Sequence, residues 1–237
     1  MSGVSPSRRQ LQAAATHEQL LAAAREVFGT KGYAGTTVRA ITAAANTAHG
    51  TFYLYFRNKE DAFANVMADV TGELYEQAGA RWARGDAYAA IETSIRGFLE
   101  VFVAHRGLWR CLLEGSFANP VIEAMWLEIR QRFVARIERN LRQLAEGGEI
   151  RPMHLGLTAN ALGAMVEWAA TTQFVLQTPP AAGESFDDCV RTLTELWYHA
   201  VYLDSQQPDA GRGWSAPSPS SAAGGGISSR SRPAPRG

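Results

Sequence analysis

The chain has 237 residues, 46% of them hydrophobic and 19% charged, which is enough apolar material for one or two cored domains. Its 23 basic and 23 acidic side chains cancel, which excludes a uniformly basic nucleic-acid binder and an acidic solvating chain but leaves room for a local basic patch. The two cysteines, Cys111 and Cys189, cannot supply a disulfide framework or a four-thiolate zinc site, and no run of about 18 apolar residues is present to span a membrane.

In chain order, Met1 to Arg9 lacks an apolar run behind its arginines, so no signal peptide is expected and the protein reads as cytoplasmic. Residues 1–12 read as a disordered arm. Leu20, Leu21, Ala24, Val27 and Phe28 then recur at helical spacing. Thr16 with Gln19 three residues on resembles a capping box for this helix, and Gly32 suits its C-terminal end.

Residues 36–61 carry the most specific pattern. Thr36 suits an N-cap for a short helix with Val38, Ile41 and Ala45 on one face. A break falls at Asn46–Ala48. A second short helix starts near His49, with Phe52 as its core residue and Phe56 just past its end. Two short helices joined by three or four residues is helix-turn-helix geometry, in which the second helix enters the major groove. Thr47, His49, Thr51, Tyr53 and Tyr55 carry polar tips and cannot all be core. Gly50 allows a close backbone approach. Arg39, Lys59 and the hydroxyls suit phosphate contacts, and Lys59 opens the next helix, where backbone N–H groups also face an anion.

Further on, Tyr88, Ile91, Ile95, Phe98, Leu99 and Phe102 form a helical stripe, and Ile122 to Leu144 a long one. Phe186, Cys189, Val190, Leu193, Leu196, Trp197, Ala200 and Val201 form the cleanest. Alternating strand patterns are absent and prolines fall at plausible helix boundaries. The predicted fold class is therefore all-α, with about nine helices over residues 13–204. Residues 206–237 are rich in Pro, Ser, Gly and Ala and read as a disordered tail.

Large apolar groups are dense from 87 to 178. Phe98, Phe102, Trp109, Phe117, Met125, Trp126, Phe133, Met165, Trp168 and Phe174 either fill a helical bundle or wall a ligand cavity. His105, Arg106, Arg110, Cys111 and Glu114 lie beside them as candidate polar handles, and His105 is counted with the candidate ligand-binding set. The ligand so implied is apolar, aromatic or acyl-like.

Split by segment, the neutral total conceals a separation. Residues 1–61 carry +3, residues 62–205 carry −6, and the tail carries +3. The local basic patch left open at the outset lies on the helix-turn-helix end.

The blocks Phe28-Gly-Thr-Lys-Gly-Tyr33, Thr36-Thr-Val-Arg-Ala-Ile41, Gly50-Thr-Phe-Tyr-Leu-Tyr-Phe56 and Asn58-Lys-Glu-Asp-Ala-Phe63 resemble, in order and spacing, the N-terminal signature of TetR-family transcriptional regulators. The resemblance covers about fifty residues. It implies an N-terminal helix-turn-helix domain (13–60) and a helical ligand-binding and dimerisation domain (61–205). It also implies a repressor that leaves double-stranded operator DNA when a small hydrophobic molecule binds. Carried over by position, Thr37 and Arg39 would touch DNA from the second helix. Thr47, His49, Gly50, Thr51, Tyr53 and Tyr55 would do so from the recognition helix, and Lys59 would hold a phosphate.

This sequence departs from the family pattern at Asn46-Thr47-Ala48, where Gly-Val-Ser is usual. The capping serine is lost, leaving Thr47 or Asn46 to cap, and Asn46 tolerates the left-handed backbone that glycine would supply. The stripe through Phe186, Val190, Leu193, Trp197 and Val201 is either core or, by resemblance, one side of a homodimer interface. Such an interface would place two recognition helices about 34–36 Å apart on a palindrome.

The sequence holds no nucleophile elbow, phosphate loop or paired-cysteine motif, and its five histidines lack ligand spacing. No enzyme activity, metal or cofactor is expected. The alternative function is a ligand-independent dimeric DNA-binding protein, or an activator.

Overall fold

The computed structural model of the chain describes residues 7–77, 86–176 and 185–202. Those residues are helical, with no strand among them: α1 (Arg8–Gly35), α2 (Val38–Ala44), α3 (His49–Phe52), α4 (Lys59–Gln77), α5 (Ala87–Ala104), α6 (Arg106–Ala118), α7 (Pro120–Glu146), α8 (Leu155–Ala170) and α9 (Phe186–Val201). A π-helical turn, Thr171–Val175, extends α8. The expected tail lies outside the described residues.

The first helix starts earlier than the sequence suggests. Ser7 accepts from the Gln10 backbone while Gln10 reaches back to the Ser7 N–H, a complete capping box, so residues 8–12 are helical and not part of a loose arm. Thr16 is therefore interior, and its hydroxyl bonds the Gln12 carbonyl. Gly32 does break the helix, at φ 68° and ψ −178°. Thr36 is buried, and the cap of α2 is Thr37, whose hydroxyl accepts from Ala40 N at 3.1 Å.

Around α2 and α3 the apolar positions converge as their periods require. Leu20, Ala24 and Phe28 of α1 meet Ile41, Ala45, Phe52, Phe56 and Phe63 in one buried cluster. The Phe28 and Phe63 rings lie 4.7 Å apart, and Phe52 and Phe56 5.3 Å apart. Gln19 of α1 donates to the Ala45 carbonyl at 2.8 Å, satisfying the end of α2. Asn46 sits at φ 48°, the left-handed conformation that the turn between the two short helices needs. Neither Asn46 nor Thr47 caps α3: its N-cap is Ala48, without a side-chain bond.

The later helices pack on α1 and α4, and the domain boundary expected at 60–61 is bridged closely. Helix α6 lies along α1. A Cβ at Gly107 would fall 2.2 Å from the Gly29 carbonyl oxygen, so the two backbones touch where a side chain would force them apart. Helix α9 packs against α5 and α7 against α8. Val190 and Val201 are fully buried, and Leu193 and Trp197 nearly so.

Candidate nucleic-acid interface and effector cavity

The helix-turn-helix presents a small polar face. Thr37, Arg39, His49, Gly50 and Tyr53 are exposed and Thr51 is half-buried, while Phe52 anchors the recognition helix from behind. Tyr53 is 55% exposed, with its ring edge-on to His49 at 5.6 Å. A Cβ at Gly50 would meet no atom within 4 Å, so that face is open to a backbone-scale neighbour. Leu54, not singled out by the sequence reading, is 79% exposed two residues past the end of that helix.

Three of the nine candidate DNA contacts are held differently. The Lys59 ammonium donates to the backbone carbonyls of Tyr33 at 3.1 Å and Thr36 at 3.4 Å, and lies 4.2 Å over the Tyr33 ring. It closes the C-terminal carbonyls of α1, a favourable place for a cation, instead of pointing free into solvent. The Thr47 hydroxyl is buried with no partner among the described residues. Tyr55 is half-buried against His17, with ring centroids 5.7 Å apart.

Between this head and the rest of the molecule lies a polar junction. The Tyr33 hydroxyl donates to Glu60 at 2.6 Å and accepts from the Asn119 amide at 2.7 Å. Burial, followed by the Glu60 carboxylate, raises the Tyr33 pKa well above the usual phenol range. Asn119 also caps α7 by accepting from Val121 N. One phenol therefore joins the ends of α1, α4 and the α6–α7 turn. Arg25–Asp69 at 3.1 Å ties α1 to α4 again, and Glu73–His105 at 2.8 Å ties α4 to the α5–α6 turn.

A cavity of about 300 Å³ opens among α4 to α8. Phe98 and Phe102 come from α5, Trp109 from α6, Trp126 and Phe133 from α7, and Trp168 from α8; Leu74 of α4 and Thr171 of the π turn complete the wall. Phe102 and Trp109 stack at 4.2 Å and 5°. These six aromatics are among the eleven residues the sequence suggested. The other five candidates lie elsewhere. Phe117 is 86% exposed, and His105 faces Glu73. Met125, Met165 and Phe174 pack partly buried against the core, the last against Phe186. The suggested polar handles do not line the cavity either. Arg110 reaches the Val175 carbonyl of the π turn at 3.1 Å, and burial followed by Glu114 pushes the Cys111 thiol up to about 12.

The polar residues that do line it were missed by the sequence reading. Arg130 and Glu167 pair at 2.9 Å, and Trp126 Nε1 donates to the other Glu167 oxygen at 3.1 Å. Burial raises the Glu167 pKa, with Arg130 and the Trp126 N–H pulling it back. The available signal was a glutamate inside the otherwise apolar run Ala164-Met165-Val166-Glu167-Trp168.

The candidate interface stripe faces inward. Val190, Leu193, Trp197 and Val201 are buried within the single chain, and Phe186 packs partly buried on its core. The outward side of α8 and α9 carries Leu157, Ala161, Trp168 and Leu196 instead, with Leu196 53% exposed. No described helix is long and apolar enough to cross a membrane. No cluster of metal-ligating side chains is found among the described residues.

Comparison with known proteins matches residues 20–66 to the family model described as bacterial regulatory proteins, tetR family. Residues 91–203 match that of the transcriptional regulator EthR, C-terminal domain. A fatty acid metabolism regulator protein of Bacillus subtilis (strain 168) is 39% identical over 59 residues, 25% of this chain and 30% of that protein. The match thus spans under a third of that relative's length. A TetR-family transcriptional regulator from Syntrophomonas wolfei shares the fold with a TM-score of 0.67 at 19% identity, over 79% of this chain and 95% of that one. A transcriptional regulator from Saccharomonospora viridis, solved in complex with choline, does so with a TM-score of 0.64 at 16% identity, over 81% and 100% of the two chains.

Proposed function

The chain belongs to the TetR family of bacterial transcriptional regulators, and on that premise we propose that it is a homodimeric repressor released from a palindromic operator when a small apolar or aromatic molecule fills the α4–α8 cavity. The observation that carries this reading is the path of α4. Its first residue, Lys59, holds the end of α1 beside the recognition helix, and Leu74, four turns on, lines the cavity. One continuous helix therefore borders both sites. A ligand that prefers one position of α4 must bias the DNA-reading head by its differential affinity for the two positions.

In this reading Arg39 and the Thr37 hydroxyl approach the phosphates, and His49, Gly50, Thr51 and Tyr53 meet the groove. Lys59, Thr47 and Tyr55 shape the head from within. The reader runs from α1 to the start of α4, and the rest senses and dimerises. The partner subunit packs on the outward faces of α8 and α9, through Leu157, Ala161 and Leu196. The fatty acid regulator among the relatives and the choline complex among the neighbours are in keeping with a small-molecule effector.

The reading is tested by fluorescence anisotropy of the full chain on DNA from upstream of its own gene, with and without added apolar compounds. Salt-dependent, sequence-specific binding that one compound class reverses is the expected result. Binding that no cavity ligand alters would leave a ligand-independent DNA-binding dimer.

A further inference from the structure

We infer that Phe133 is the length gauge of the effector cavity: together with Phe98 it sets how long an unbranched alkyl or acyl arm the effector can carry. This rests on the cavity being the effector site. Beside that cavity lies a second, smaller space of about 40 Å³, walled by α5, α7, α8 and α9. Phe98 and Phe133 are the two side chains that line both spaces. Their ring centroids are 5.0 Å apart, so one pair of touching rings separates the spaces. Of the other eight residues around the smaller space, five are apolar: Ile91, Ile95, Ile137, Val166 and Trp197. Its volume exceeds the ~10–15 Å³ that one water needs, so it has room for the end of a hydrocarbon chain.

The two rings are held unequally. Phe98 is 4% exposed and stacks on Phe102 at 4.7 Å, and Phe102 stacks in turn on Trp109 at 4.2 Å. Turning Phe98 would break up that file of three rings. Phe133 is half-buried, and Phe98 is its one ring neighbour among the described residues. An arm that ends within the larger cavity gains apolar burial with each methylene. The first carbon beyond that meets the Phe133 ring, and a longer arm has to displace it from a packed position, which cancels the gain.

The test is calorimetric titration of the full chain with 4-n-alkylphenols from ethyl to nonyl, one headgroup throughout, so that differences report the chain alone. In the parent, affinity rises about fourfold per methylene up to one length inside the series and then levels off. Phe133→Ala opens the wall and moves that break to a chain about two carbons longer; Phe133→Leu, which keeps more of the packing, moves it by about one. Ser94 lines the smaller space alone, so adding Ser94→Leu to Phe133→Ala fills that space and returns the break to the parent length. A change that only loosened the fold would weaken every chain length alike and leave the break in place. A parent series without a break, a break unmoved in both Phe133 variants, or an extension that Ser94→Leu does not cancel overturns the inference and leaves the effector cavity standing. Failure of every alkylphenol to bind the parent overturns the effector cavity itself and the inference with it.

Discussion

The Tyr33 hydroxyl donates to the Glu60 carboxylate across 2.6 Å, joining the end of α1 to the start of α4. Both helices then continue to surfaces with different tasks, α1 beneath the short DNA-reading helices and α4 along the cavity wall. Asn119 completes the junction from the α6–α7 turn.

Tyr33→Phe removes this bond and leaves a carboxylate and an amide without their shared partner. We expect a loss of about 1.5–3 kcal/mol in urea unfolding, the range for a hydrogen bond to a charged group. A variant as stable as the parent would mean that the junction contributes nothing net.

The same residue predicts a pH dependence. The folded pKa of Tyr33 is raised, so its contribution is fully present below the unfolded phenol value of about 10 and is lost as pH rises beyond it. Burial raises Tyr75 and Tyr202 as well, so the informative quantity is the difference between parent and Tyr33→Phe. The parent should lose stability more steeply above pH 10 in unfolding experiments. Parallel curves would contradict the assignment.

Arg39 and Lys59 should behave oppositely on DNA. Arg39→Ala lowers the salt slope of operator binding by about one unit with little change in stability. Lys59→Met leaves the slope nearly unchanged and lowers stability by about 0.5–1.5 kcal/mol, because its ammonium serves the carbonyls of Tyr33 and Thr36. Equal losses of salt slope in the two variants would show that Lys59 swings out to a phosphate.

Much of this was legible in the sequence, and the remainder was not for definable reasons. Phe52, Phe56, Ile41 and Asn46 fell where the pattern placed them, because short-range spacing and backbone stereochemistry decide those positions. The aromatic half of the cavity was legible from helical period and residue size. Period shows which face of a helix is apolar but not what covers it. Val190, Leu193, Trp197 and Val201 therefore fitted a dimer seam as well as the core they occupy against α5. The bonds that Lys59 makes were not legible because its partners are backbone carbonyls more than 20 residues earlier, and carbonyls leave no trace in a sequence. Arg130 and Glu167 lie on different helices and only the fold brings them together.

The two sides of α9 separate interface from core experimentally. Leu196→Glu, on the outward side, should convert dimers to folded monomers in analytical ultracentrifugation with helicity retained. Trp197→Ala, one residue on, should cost about 3–5 kcal/mol of stability as a buried truncation. Monomerisation by the core change alone would move the interface elsewhere.

Selecting duplexes from a random pool with the full chain, then repeating the binding in the presence of small apolar and aromatic compounds, tests the regulator reading in one measurement. The expected result is an inverted repeat whose half-site centres lie about one helical turn apart, or a whole multiple of it, bound less tightly once such a compound is added. Enrichment of no sequence, or of an isolated half-site bound equally well with and without every such compound, rules that reading out.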